Sequence, residues 1–134
     1  MSTTTLTKTA REIVAAATSN VAGGTTRGTL DLRTAMGGLL TLKITNGATG
    51  PTTQCVCTVH VAHNDGATPA AGAEGADWKR IFRVGGGTSN NGVTHQSYEF
   101  GPGVMHMQVE FTGNTGQAVT VEAYVSEITS ANSA

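Results

Sequence analysis

The chain has 134 residues, enough for one ordinary domain and too few for two. Eight basic residues against nine acidic ones give a net charge of −1, which leaves little capacity to neutralise phosphates and argues against a nucleic-acid partner. A hydrophobic share of 38% with only 13% charged residues excludes a wholly disordered chain. The longest apolar stretch, Ile13-Val14-Ala15-Ala16-Ala17, is far short of the roughly 20 residues that span a bilayer, so no membrane partner is expected.

The start, Met1-Ser2-Thr3-Thr4-Thr5, is polar and precedes no apolar run of signal-peptide length, so no secretory leader is expected. Eighteen glycines and 23 threonines, with 4% aromatic residues, point to many turns and to strand-rich surfaces without large stacking platforms. Helical periodicity is nearly absent. Thr3 to Thr9 favours extension, whereas Ala10 to Ala17 suits a turn or two of helix. Because every neighbouring segment reads as strand, strand is expected here too.

Further along, Thr29-Leu30-Asp31-Leu32-Arg33 and Leu40-Thr41-Leu42-Lys43-Ile44 flank Met36-Gly37-Gly38 and read as a hairpin. Thr53 to His63 sets Cys55, Cys57, Val59 and Val61 on one face and Val56, Thr58, His60 and Ala62 on the other. Coverage on both sides, and hence a central strand, is expected. Cys55 and Cys57 point the same way with Cα atoms roughly 6.5–7 Å apart, at or beyond disulfide reach. They read as small buried thiols, and a reduced, intracellular or virion-internal folding history is expected.

The segment Asn64 to Ala76 carries Gly66, Pro69, Gly72 and Gly75 among alanines. It exceeds the usual hairpin connection and offers few anchors, so it is expected to be exposed and mobile, or ordered by a partner. A strand over Asp77 to Val84 sets Trp78, Phe82 and Val84 against Lys79 and Arg83, with Arg80 in conflict on the Trp78 face. After a second loop at Gly85 to Asn91 and a strand over Val93 to Phe100, Val104 to Phe111 alternates Met105, Met107, Val109 and Phe111 with His106, Gln108 and Glu110. That pattern predicts a half-buried strand with a solvated polar face. Gly113-Asn114-Thr115-Gly116 then signals a compact hairpin to Val119, Val121, Ala123 and Val125. The count is about eight strands. Together they predict an all-β chain, a single-domain antiparallel β-sandwich of jelly-roll-like type over residues 1–134, with flexible arms at about 1–9 and 127–134.

No set of residues in the chain carries recognisable chemistry. Cys55, Cys57, His60 and His63 cluster in sequence, yet a strand turns His60 away from the others, and no CxxC or HxxxH half-site is present. No cofactor or metal is expected. There is no GxSxG elbow, and Gly85-Gly86-Gly87-Thr88 lacks the lysine and helix of a phosphate loop. Glu99, Glu110 and Glu122 read as solvated strand residues. Trp78 beside Lys79 and Arg80 is either a core anchor or part of a contact surface. The polar, Thr- and Ser-rich terminal arms are of the kind that adds strands to a neighbour's sheet edge.

The Ser2-Thr3-Thr4-Thr5 arm, the Gly-Ala loop from Gly66 to Gly75 and the closing Val119-Thr120-Val121-Glu122-Ala123-Tyr124-Val125 strand together resemble the decoration (cement) proteins of tailed bacteriophage capsids. The resemblance spans the full length in style and size. It implies a non-enzymatic virion protein on the capsid exterior that acts as a dimer or trimer, with the major capsid protein as its partner. On that reading the arm residues Thr3, Thr4, Thr5, Leu6 and Thr7, the loop residues Asn64 and Asp65, and Trp78 are the candidate contacts. Rival readings are a tail or fibre module, a carbohydrate-binding sandwich and a metal-dependent jelly-roll enzyme. The shortage of aromatic residues weighs against sugar stacking.

Overall fold

Alternation of side chains at a period of two, broken by glycine- and asparagine-rich turns, produces strands throughout the computed structural model, which describes residues 4–133. They are β1 (Thr4–Asn20), β2 (Thr25–Asp31), β3 (Gly38–Asn46), β4 (Val56–Ala62), β5 (Lys79–Gly85), β6 (Val93–Phe100), β7 (His106–Thr112) and β8 (Val119–Ser133). The Ala10–Ala17 stretch is strand, as its neighbours required. Alanine's helix propensity yields there to pairing with β8.

Two four-stranded sheets form, one in the order β1-β8-β3-β6 and the other β2-β7-β4-β5. We refer to them as sheet A and sheet B. Every paired neighbour is antiparallel, and the chain changes sheet at every connection except β4 to β5, giving the double-sheet jelly-roll arrangement. The inner faces meet in one apolar core built from Leu40, Leu42 and Ile44 of β3, Val121, Ala123 and Val125 of β8, Cys57 and Val59 of β4, and Met107, Val109 and Phe111 of β7. β4 pairs with both β5 and β7, so it is interior to its sheet.

Two expected hairpins are absent. β2 and β3 lie in different sheets, as do β7 and β8, so the turns at 32–37 and 113–118 bridge the gap between layers. Their glycines still mark sharp turns: Gly37, Gly113 and Gly116 all have positive φ. Asn114 is buried within its turn, where its Nδ2 donates to the Asn20 and Gln117 carbonyls and its Oδ1 accepts from Asn20 Nδ2 at 2.6 Å. Turn residues report that the chain reverses. They do not report into which sheet it returns.

β1 is irregular in its second half. Its register against β8 shifts between Glu12 and Val14 and again between Val14 and Thr18, and Ala17 adopts φ 58°, an uncommon conformation for a residue with a Cβ. There β1 leans onto β2, so close that a Cβ on Gly28 would sit 2.3 Å from the Ile13 carbonyl oxygen. A bulge in β5, where Val59 pairs Phe82 and His60 pairs Arg80, breaks alternation and resolves the Arg80 conflict. Phe82 packs against the core and Arg80 is exposed.

Candidate functional site

The outer faces of the two sheets are finished differently. On sheet B, Thr58 and His60 of β4 and His106 and Gln108 of β7 point away from the inter-sheet core, yet all four are buried. The segment 63–78 reaches His60, His106 and Gln108. His106 Nε2 lies 2.9 Å from the Asn64 carbonyl oxygen and Nδ1 lies 3.0 Å from Thr68 Oγ1. Gln108 grips Gly72 on both sides: its Oε1 accepts from the Gly72 N–H at 2.9 Å, and its Nε2 donates to the Gly72 carbonyl at 2.7 Å.

The same Nε2 also lies 3.2 Å from His60 Nδ1, which accepts only while that nitrogen is unprotonated. Burial lowers the His60 pKa, so the neutral ring is the favoured one. Glu74, exposed on the loop, faces His60 Nε2 at 3.9 Å and Arg80 at 3.7 Å. The polar face expected to be solvated is therefore the floor of a clasp. The loop expected to lack anchors finds them in the side chains of that face.

Trp78 belongs to this clasp. It is 3% exposed, stands outside the inter-sheet core, and donates its indole N–H to the Ala70 carbonyl at 2.9 Å. Its bond to Ala70 ties the loop to the residue just before β5, and its burial leaves little of the ring for a partner to touch. Asn64 is half-buried, with its carbonyl taken by His106 and its amide donating to Asp77. Asp65 is exposed and its carbonyl accepts from Arg33 at 2.9 Å. The guanidinium of Arg33 also hydrogen-bonds Asp31, which holds that carboxyl well below the usual carboxylate range.

Among the described residues no segment lies over the outer face of sheet A, and the arms extend this sheet at its β1–β8 end. Thr4, Thr5, Leu6 and Thr7 are all exposed on β1, and their partners are Ser133, Asn132, Ala131 and Ser130 of β8. The described parts of the two expected arms are thus each other's strand partners. Thr3 lies outside the described residues. β3 accompanies β8 only as far as Glu127, with Met36 and Gly37 extending the ladder to Ile128. Beyond that point β1 and β8 continue alone as a two-stranded ribbon of roughly 15–20 Å. At its root the buried Glu127 carboxylate meets Arg11 at 3.4 Å, and Arg11 also donates to the Asp31 carbonyl across the sandwich.

Next to the ribbon root is an open hollow of about 720 Å³. Leu6, Met36 and Leu39, exposed by 49%, 45% and 41%, line it together with Phe100 and Ile128, and Lys8 and Glu99 supply charge. Its wall at Gly38 is tight, since a Cβ there would lie 2.3 Å from the Ser126 carbonyl oxygen. Met36 and Leu39 were not singled out from sequence. The adjacent pair Leu39-Leu40 carried a signal nonetheless, because a strand must turn one of two consecutive leucines outward.

The candidate contacts thus divide between the two sheets. The described arm residues Thr4–Thr7 belong to β1 of sheet A, whereas Asn64, Asp65 and Trp78 sit with the loop that covers sheet B. Cys57 of β4 and Cys55 just before that strand are buried at the core, where burial pushes the Cys55 thiol up to about 11 and Cys57 higher still. His60 lies on the other side of the strand and His63 is exposed, so this sequence cluster is not a spatial one.

No family model matches the chain, and no curated protein does. Among solved structures, the K3 cleaved adhesin domain of Lys-gingipain from Porphyromonas gingivalis w83 aligns with a TM-score of 0.52 at 10% identity, covering 81% of this chain and 72% of that one. The SPBc2 prophage-derived protein YomS aligns at 0.45 and 19% identity, covering 91% and 95%. A xylan-binding domain from CBM 22 aligns at 0.44 and 12%, covering 91% and 86%. The first likeness is one of fold alone, and the two lower scores carry no weight for fold or function.

Proposed function

We propose that this chain is a non-enzymatic virion structural protein that binds the outer surface of a phage capsid and stabilises the shell by bridging neighbouring capsid subunits. The observation that carries this reading is the ribbon formed by Thr4–Thr7 and the end of β8, which outruns the sandwich beside the apolar hollow of Leu6, Met36 and Leu39. A rigid body with a projecting strand pair and an unpaired strand edge suits attachment by strand addition and shallow apolar contact. Bridging adds many weak contacts through multivalency and needs no chemistry. The major capsid protein is the partner in this reading, and a dimer or trimer is the acting form.

Co-sedimentation with expanded tailed-phage shells tests it, using the full chain and a chain lacking residues 2–9. Saturable occupancy by the full chain, with a loss of at least roughly tenfold in affinity on deletion and an unchanged fold by circular dichroism, is the expected result. Equal occupancy by both chains would remove the arm from the mechanism. Absence of binding by the full chain would remove the decoration reading. One feature favours a carbohydrate-binding role instead, the Phe82–Tyr98 ring pair with centroids 4.9 Å apart at the β5–β6 side. Glycan-array binding abolished by Tyr98→Ala would select that role.

A further inference from the structure

Four strand edges are open to a neighbour, β1 and β6 in sheet A and β2 and β5 in sheet B, and their charges separate them. β5 carries Lys79, Arg80 and Arg83 with no acidic residue, so a second copy laid along it meets like charge in any register. On β2, Arg27 and Asp31 are already paired with Glu110 and Arg33, and β1 leans against its backbone at Gly28. On β6 the single acidic residue is Glu99, with no basic Lys or Arg to meet it.

β1 differs from all three. Residues Thr4–Ala10 and Glu12 are exposed, and its alternation runs unbroken through Glu12, because the shift beside Lys8 comes from an extra residue on β8. Lys8 and Glu12 lie on the outer side of the strand, like Leu6, and neither takes part in an ion pair among the described residues. Four residues of strand hold them roughly 13 Å apart, so they cannot meet each other.

A second copy running antiparallel, related by a two-fold axis through Ala10, places each Lys8 opposite Glu12 of the other copy and closes two identical charge pairs at once. We propose that the β1 edge, from Lys8 to Glu12, is the homodimer interface of this protein, joining two copies of sheet A into one continuous sheet. The second half of β1 stays outside the interface, since its bulges and its contact with β2 remove it from pairing geometry. An isologous contact of this kind makes a closed dimer and leaves both ribbons free at its ends. The assignment deepens the bridging reading above and rests on it for its biological use: a dimer carries two ribbons and so reaches two capsid subunits.

Light scattering coupled to size exclusion, with sedimentation velocity over a range of concentrations at low salt, tests the interface on the full chain. The wild type forms a reversible dimer. Lys8→Glu and Glu12→Lys each raise its dissociation constant by roughly tenfold or more, because each creates two like-charge contacts. The double variant Lys8→Glu/Glu12→Lys restores attraction with the signs exchanged and returns the constant toward the wild-type value. Ala10→Cys under oxidised glutathione gives a disulfide-linked dimer, as directly opposed residues lie within disulfide reach. A strict monomer, a trimer, or a dimer indifferent to both single reversals would overturn the interface. Shell binding is scored separately: a dimer that ignores shells overturns the decoration reading alone, and a monomer that binds shells overturns the interface alone.

Discussion

The two outer faces of this sandwich start from comparable strands and end in opposite states. On sheet B the polar residues His60, His106 and Gln108 are fully covered by the chain's own segment 63–78. On sheet A the apolar residues Leu6 and Leu39 stay in solvent. A polar face becomes interior when its hydrogen bonds are met by a loop, and the few apolar residues of the other face stay exterior because no described segment of the chain lies over them. The contrast teaches that exposure follows from where the long connection goes. It also identifies the face that is available for partners.

The largest effect is expected at Trp78. Trp78→Ala removes a large buried side chain along with its bond to Ala70, and should cost about 3–5 kcal/mol in urea unfolding. A cost below about 1 kcal/mol would mean that the clasp contributes nothing to the fold. Gln108→Leu comes next, because it leaves both Gly72 backbone groups and His60 Nδ1 without their partner. About 1–3 kcal/mol should be lost, accompanied by faster amide exchange across residues 64–76 and a red shift of the single tryptophan's emission as the loop lifts. Unchanged exchange would show that the loop is held by other contacts. Leu39→Ser on the bare face should change stability by less than about 0.5 kcal/mol. A larger loss would place the hollow within the folding core and erase the contrast between the faces.

The clasp was partly legible in sequence. The alternation of β4 indicated cover on both sides, since Thr58, His60 and Ala62 share a face opposite Cys57 and Val59. The same inference failed for β7, where His106, Gln108 and Glu110 are the residues a solvated face would carry. Side-chain polarity does not distinguish water from backbone amides as the hydrogen-bond partner, and Gln108 is satisfied by Gly72 as well as it would be by solvent. Of the hollow, the sequence offered Leu6 as a candidate contact and the adjacent Leu39-Leu40 pair as a sign of one outward leucine. That these meet each other, and meet Phe100 and Ile128, was not legible, because they lie on β1, β3, β6 and β8.

Composition and period determined that this is an all-β sandwich of about eight strands, with β4 interior and the stretch up to Thr9 extended. These are local properties: a period of two needs only neighbouring residues, and glycine-rich turns mark reversals wherever they occur. Tertiary structure alone decided which strands pair. The turns at 32–37 and 113–118 cross between layers, and the one same-sheet connection, from β4 to β5, is the long segment 63–78. Strand pairing is settled by which apolar faces close the shared core and by which hydrogen bonds are then left for the loops to meet. Both depend on residues distant in sequence, so the partner of each strand, the burial of His106 and the exposure of Leu39 emerge only when the two sheets come together.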